Sequence, residues 1–404
     1  MSVTPAGIGI VTALPIEFAA MRLVLDHPTE LHLPRDPTRY VVGSLPGSGG
    51  VRPHSVVLAL LAHDGTRSAA AATTALLMAF PAVLYVMMVG IAGGVPAVDA
   101  PQRHVRLGDI VVATEIVDYG HLRSVDGLRN LRRGLDRPSA HLANADRILQ
   151  ADELTDERPW EDWLDGHHPM PAPFGRPPAE TDILTVGGHR IPHPDDFRYG
   201  RRPGHPRIHH GAIGSADRLV RDEQLRDTLA NDHGICAVEM EGAGIAIASA
   251  LHATAWFMVR GIVDYCTNST KSDVWHAYGA LAAASYARAL IGRVPIAPSS
   301  PPSTANESLA SLQAIVDALL DLPQVRDAVH RRLLVDLLPR NIREAIHDST
   351  TPRHHVISIV RTCRAYSGGQ AALLEALQAI APSGSDGLNR ATAVIGRQWS
   401  ALDG

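Results

Sequence analysis

Residues 79–95 read AFPAVLYVMMVGIAGGV, and this stretch decides the fold class. It is the longest apolar run in the chain. It still falls short of the ~20 residues that a membrane helix needs, and Pro81, Gly90, Gly93 and Gly94 interrupt it. A buried strand over 83–89 entering a glycine turn fits it better. Similar short apolar runs lie on either side: GIGIVT at 7–12, SVVLALLA at 55–62, DIVVA at 109–113 and WFMVRGIV at 256–263. Helical stretches follow the first two, over 18–25 and 69–79. Continuous apolar strands alternating with helices predict an α/β fold with a largely parallel sheet covered on both faces. In such sheets ligands gather at the carboxyl ends of the strands. The turns His63-Asp64-Gly65-Thr66-Arg67-Ser68 and Gly90-Ile91-Ala92-Gly93-Gly94 sit at those ends.

The chain has 404 residues, 45% hydrophobic and 20% charged, which is a globular composition. Lysine plus arginine number 37 against 42 aspartate plus glutamate, for a net charge of −5. That balance excludes a general nucleic-acid binder, which needs a strong basic excess. The cysteines Cys236, Cys266 and Cys363 have no metal-type or CxxC spacing, so neither disulfides nor structural zinc is expected, and a reducing cytoplasm is the natural compartment. The first residues, MSVTPAGIGIVTALP, lack the basic and apolar blocks of a signal peptide.

Residues 121–205 are rich in Arg, Asp, Pro and His with little apolar periodicity. They read as a long surface insertion, helical near 140–151. Its basic cluster, Arg123, Arg129, Arg132, Arg133 and Arg137, either faces solvent or screens a polyphosphate. PIAPSSPPSTAN at 295–306 cannot build a core and predicts a linker over 295–308. The catalytic-type region is therefore placed at 1–294. Beyond the linker, Leu309, Leu312, Ile315, Val316, Leu319 and Leu320 recur at helical spacing, as do later sets through Ile380. A small all-α bundle is expected over 309–382, with a tail of uncertain order at 383–404.

The chemistry concentrates in VEMEGAG at 238–244 and RGIVD at 260–264. Glu241 opens an alanine- and glycine-rich helix and Asp264 ends an apolar strand, so both carboxylates lie at element ends. A carboxyl beside apolar residues at a strand end is placed to hold a raised pKa and deliver a proton. Taken singly, each also reads as a helix-terminal or turn acid. Gly65-Thr66 and Gly93-Gly94 let backbone amides approach a ligand. Ser68 either caps the helix after the second strand or lines the site. Arg67 is either solvated or a 5′-phosphate acceptor. His209-His210 and His167-His168 lack the further ligands of a metal site, and no metal or cofactor is expected.

In this order, GIGIVTALPIEF at 7–18, GTRSAA at 65–70, VGIAGGVP at 89–96, VRLGDIVVA at 105–113, HHGAIGS at 209–215, VEMEGAG and RGIVDY at 260–265 together resemble the nucleoside phosphorylase/nucleosidase superfamily. That superfamily includes purine nucleoside phosphorylases and methylthioadenosine/S-adenosylhomocysteine nucleosidases. The resemblance covers about residues 7–292 and implies a mixed sheet covered by helices. It also implies cleavage of an N-glycosidic bond through a sugar transition state of oxocarbenium character. By the same resemblance Asp264 protonates or hydrogen-bonds N7 of the departing purine, Glu241 binds the ribose hydroxyls, Met240 packs under the ribose, Glu239 beside it contacts the substrate, and Glu17 helps to orient and activate the attacking water. Ser215 and Asp217 fall in the segment that approaches the base. The G-D-P-x-R phosphate loop of phosphorylases is absent; Thr12-Ala13-Leu14-Pro15 stands in its place. Hydrolysis is therefore expected over phosphorolysis. Relatives are dimers, trimers or hexamers, so a homo-oligomer is expected too.

The helical segments SLQAIVDALLDLP, VHRRLLVDLLP, HHVISIVRTCRAYSG and GQAALLEALQAI resemble an effector-associated domain of bacterial conflict systems. Such modules couple an effector to a protein partner. Together the two resemblances imply a conditional nucleosidase acting on ATP or another adenine nucleotide in antiphage signalling. The alternatives are a salvage enzyme, whether phosphorylase or methylthioadenosine nucleosidase, and a non-catalytic nucleotide sensor.

Overall fold

A computed structural model describes residues 6–33, 36, 38–48, 52–125, 128–131, 138–268, 272–295, 305–349, 351–366, 368–382 and 384–400, without the side chains of 122–137 and 305–310. The chain divides into two compact units: one comprises Met1–Pro138, Leu142–Ser249 and Trp256–Val294, and the other is formed mainly by Pro295–Gly404.

The first unit contains strands β1 (Ile8–Thr12), β2 (Asp26–Leu31), β3 (Tyr40–Leu45), β4 (His54–Leu60), β5 (Tyr85–Gly94), β6 (Ile110–Asp118), β7 (Leu122–Val125), β8 (Leu128–Leu131), β9 (Leu184–Val186), β10 (His189–Ile191), β11 (Ile208–Ser215), β12 (Ile235–Glu239) and β13 (Ala255–Asp264). Its helices are α1 (Pro15–Val24), α2 (Thr66–Ala79), α3 (Ala140–Leu154), α4 (Glu223–His233), α5 (Gly242–Leu251) and α6 (His276–Ile291). Nine strands form one sheet in the order β12-β11-β6-β13-β5-β1-β4-β3-β2, and β12 also pairs with β5. The strands β5, β13, β6, β11 and β12 thus close on themselves. The sheet is mixed, as the family resemblance implies, and not largely parallel, as the apolar runs alone suggest. β1 runs parallel to β4 and β5, and β11 to β6 and β12, but β13 is antiparallel to β6 and β12 to β5. An apolar run carries no mark of its neighbour's direction, so this was invisible in the strands alone.

Alternation along the strands sorts the core into two faces. Ile8, Ile10, Val56, Leu58, Met87, Val89, Ile110, Val112, Phe257 and Val259 pack with α1 and α6. Val11, Val57, Ala59, Val86, Met88, Val111, Trp256, Met258 and Ile262 pack with α2 and α5. Arg260 and Asp264 share the parity of Ile262, on the second of these faces.

Residues 121–205 do not stay on the surface. Trp160 and Phe174 enter one core and Leu184 the other. Arg201 forms a two-pronged ion pair with buried Asp109, at 2.9 and 2.6 Å. Isolated aromatic anchors in a polar stretch leave no periodic signal, which is why the insertion read as surface. The side chains of its basic cluster, from Arg123 to Arg137, lie outside the described residues.

The second unit holds α7 (Ala305–Leu320), α8 (Pro323–Arg326), α9 (Ala328–Asp336), α10 (Arg340–Arg343), α11 (Pro352–Ala365), α12 (Gly369–Ile380) and α13 (Asp386–Ser400). Asp327 caps α9 by accepting the Val329 and His330 amides. Two boundaries differ from expectation. α7 begins at Ala305, inside the expected linker, and the supposed tail is mostly α13. Leu388, Ala391, Ile395 and Trp399 of that helix are buried in the core with Ile315, Val316, Ile359 and Leu377. The spacing 388, 391, 395, 399 is helical, but polar residues between its members dilute it. Most of the linker, 296–304, lies outside the described residues.

Candidate active site

The centre of the site is Arg260, which is fully buried on β13. Three carboxylates surround its guanidinium. One terminal nitrogen bonds Glu239 and lies 3.4 Å from Glu241; the other lies 3.7 Å from Glu17 and donates to the Ile91 carbonyl at 3.3 Å. With every group ionised, three negative charges meet one positive charge, leaving an excess of two.

Local sequence explains how each acid arrives there. Pro15 starts α1 with its φ already helical, which places Glu17 in the first turn. Its Oε2 accepts the Ala13 and Leu14 amides at 2.7 and 2.9 Å, satisfying two free donors of the helix start. Its Oε1 accepts the Ile91 amide at 2.8 Å, tying it to β5. Glu239, the last residue of β12, turns back on the start of α5 and accepts the Glu241 and Gly242 amides at about 3 Å. Its carboxylate supports the motif from within and is bonded to protein throughout, unlike the substrate-facing role expected of it. Glu241 Oε1 accepts the Gly65 amide at 2.9 Å, joining α5 to the turn after β4.

Burial governs the protonation of this cluster. It raises the Glu17 pKa despite opposition from Arg260 and three backbone amides. It pushes Glu241 up to about 7, helped by the charge of Glu239 and opposed by Arg260 and the Gly65 amide. Neighbouring like charges in a dry site resist full ionisation.

Asp264 stands at the end of β13, and its Oδ1 accepts the Cys266 amide at 2.7 Å. β5 lies against both it and the carboxylate cluster. A Cβ at Gly90 would fall 2.3 Å from Glu17 Oε1 and 2.5 Å from the Arg260 guanidinium, and one at Gly93 would fall 2.9 Å from Asp264 Oδ1. Side chains at both positions are excluded, so the strand backbone passes close to each group.

The remaining expected residues divide. Thr66 Oγ1 donates to the Met240 carbonyl at 2.9 Å, and its amide donates to Asp217 Oδ1 at 2.5 Å, so these three stand together beside Gly65. Asp217 also lies 3.6 Å from the guanidinium of Arg67, whose side chain is 94% exposed. Ser215 is buried and accepts the Ala243 amide at 2.9 Å, which makes it a support for α5. Ser68 does not cap α2, whose N-cap is Gly65. Gly94 is buried in the β5–β12 pairing opposite Ala237. His209 pairs with Asp109 and His210 with Asp146. Among the described residues, Glu161, Asp165 and His205 come within metal-binding reach of one another, but Arg202 already occupies Glu161 at 2.6 and 2.7 Å.

Arg260 was not among the residues expected to act. Its signal was present: an arginine inside the apolar run WFMVRGIV must be buried, and a buried arginine requires carboxylate partners.

Comparisons with known proteins match both parts of the chain. A model of the phosphorylase superfamily matches residues 7–291, and one of effector-associated domain 2 matches residues 316–395. The 5′-methylthioadenosine/S-adenosylhomocysteine nucleosidase of Mycobacterium bovis is 28% identical over 299 residues, covering 72% of this chain and 97% of that protein. A nucleotide-binding leucine-rich repeat (NLR)-like protein of Hyaloscypha variabilis is 28% identical over 311 residues. That match covers 70% of this chain but only 29% of the fungal protein, so the chain spans less than a third of that relative. The solved nucleosidase of Neisseria meningitidis in complex with methylthio-immucillin-A covers 70% of this chain and 98% of its own, at 18% identity and a TM-score of 0.48.

Proposed function

Because this chain belongs to the phosphorylase superfamily, we propose that it is a purine nucleosidase that hydrolyses the N-glycosidic bond of an adenine nucleoside or nucleotide. The observation that carries this reading is the buried cluster of Glu17, Glu239 and Glu241 around Arg260, with Asp264 at the end of the same strand, β13. A departing purine is a poor anion, so a proton must reach it as the bond breaks. Asp264 is the donor, in keeping with the family resemblance. Positive charge then builds on the sugar. A dry pocket with more carboxylates than cations stabilises that charge where it forms. Glu241 holds the ribose hydroxyls, Met240 lies under the ring, and Glu17 orients the water.

Electrostatics also favours water over phosphate. Phosphate would have to approach three carboxylates, and the one guanidinium among them already faces all three. The Ala13 and Leu14 amides, which open the turn after β1, are bonded to Glu17.

The effector-associated match at 316–395 supports an enzyme whose activity is controlled through a protein partner of the helical unit. The longer fungal NLR-like relative supports the same modular use. An effector gains most from an abundant substrate, so ATP is the substrate we favour, with Arg67 meeting the phosphates. A homo-oligomer through the α/β unit belongs to the same proposal. Identity to the mycobacterial enzyme favours one other reading, hydrolysis of methylthioadenosine. Incubating the full chain with ATP, AMP, adenosine and methylthioadenosine separates the two. Adenine from ATP is the expected product; adenine from methylthioadenosine alone rejects the nucleotide assignment.

A further inference from the structure

Tyr265 follows Asp264 and is held at both ends by buried charged groups from distant parts of the chain. Its hydroxyl donates to Asp182 Oδ1 at 2.6 Å and accepts the Leu107 amide at 3.2 Å. Its carbonyl accepts from the Arg226 guanidinium at 2.7 Å. Asp182 lies in the 121–205 insertion and is itself fixed by Arg106 at 3.1 Å and His193 at 3.3 Å. Arg226 comes from α4, is 2% exposed, and bonds Asp227 through Nε. Burial, and then the charge of Asp182, raise the Tyr265 phenol well above its ordinary range, so it remains a donor at every working pH.

The next residue shows what this anchorage achieves. Cys266 has a φ of 57°, in the left-handed region. A residue with a Cβ adopts that conformation only where its surroundings hold it. In this conformation its amide points back to Asp264 Oδ1.

We infer that Asp182 and Arg226 are positioning residues for the leaving-group acid, acting through the two ends of Tyr265 to fix the backbone that aims Asp264. Neither belongs to the Arg260 cluster, and burying a charge is costly without a compensating role. The surface-like insertion thereby becomes part of the catalytic apparatus. This inference rests on the nucleosidase reading.

A double-mutant cycle in the full chain tests it, with adenine release from the best substrate as the readout. Tyr265→Phe removes one oxygen and should lower kcat by roughly ten- to a hundredfold, the cost of a misplaced group, while KM changes by less than about twofold. Asp264→Asn keeps an acceptor for the Cys266 amide but cannot donate the proton in the same way. In that background the loss from Tyr265→Phe should shrink to less than about twofold, because the hydroxyl acts only through Asp264. Equal losses in both backgrounds, a change in KM alone, or full activity in folded Tyr265→Phe would overturn the inference. If Tyr265→Phe does not fold, Arg226→Gln is read by the same criteria. Wild-type protein that releases no base from any substrate rejects the nucleosidase reading itself; an active wild type indifferent to the hydroxyl rejects only the positioning role.

Discussion

Around Ile359 and Val360 the helical unit buries aliphatic side chains, and among the described residues Arg331 and His355 are its buried basic groups, with no buried carboxylate. Around Arg260 the α/β unit buries Glu17, Glu239 and Glu241, and further out Asp109, Asp182, Asp196, Arg201 and Arg226. Both units satisfy their apolar cores, but only one removes acids from water on this scale. Desolvating a carboxylate opposes folding unless partners offset it. Where a fold keeps several of them around a single guanidinium, the arrangement points to chemistry. The helical unit shows how a domain without that demand is built.

The largest expected effect tests this contrast at the acid itself. Asp264→Asn should reduce adenine release by about 10²- to 10⁴-fold, the usual contribution of general acid catalysis. Its thermal midpoint should stay close to wild type, because Asn retains the Cys266 contact. An undiminished rate would remove Asp264 from the proton-donor role.

A smaller effect separates the units by pH. The Glu241 pKa rises from an ordinary value of 4.5 to about 7 on folding, through burial and then Glu239. Between those values the folded chain binds a proton that the unfolded chain releases, so this group's contribution to stability falls as pH rises. His355 in the helical unit is lowered from 6.5 to about 4, chiefly by burial. Its contribution has the opposite sign and is lost as pH falls through that window. Hydrogen exchange on α5 and α11 from pH 4 to 8 should show these opposing trends, and Glu241→Gln should weaken only the first, because Glu17 is raised in the same direction. Parallel trends that survive the substitution would break the contrast.

The smallest structural effect is expected at Arg67, which is almost wholly exposed. Arg67→Ala should leave stability within about 0.5 kcal/mol of wild type. It should raise KM for ATP while leaving that for adenosine unchanged. Equal KM values for both substrates would detach Arg67 from the phosphates.

Much of this was legible in the sequence because it depends on local pattern. Apolar runs located β1, β4, β5, β6 and β13 but not β2, β3, β11 or β12, and VEMEGAG and RGIVDY pointed to Glu239, Glu241 and Asp264. What escaped depends on three-dimensional closure. The pairing of β12 with β5 and the antiparallel run of β13 have no local signature. Nor does the grip of Asp182 and Arg226 on Tyr265, whose partners are separated by 83 and 39 residues. Ser68 suited a cap and a ligand contact equally well, and the cap position belongs to Gly65; Ser215, at the end of β11, supports α5 through a contact 28 residues away that no local pattern marks. Helix α13 was missed because its four buried residues are interspersed with polar ones.

On the nucleosidase reading, water activated in a carboxylate-rich pocket severs a purine from its sugar. Running the reaction in H₂¹⁸O without phosphate, and weighing both products, tests it most directly. Free adenine with one ¹⁸O in the sugar product is expected. Base release that requires phosphate and yields an unlabelled sugar 1-phosphate would contradict it.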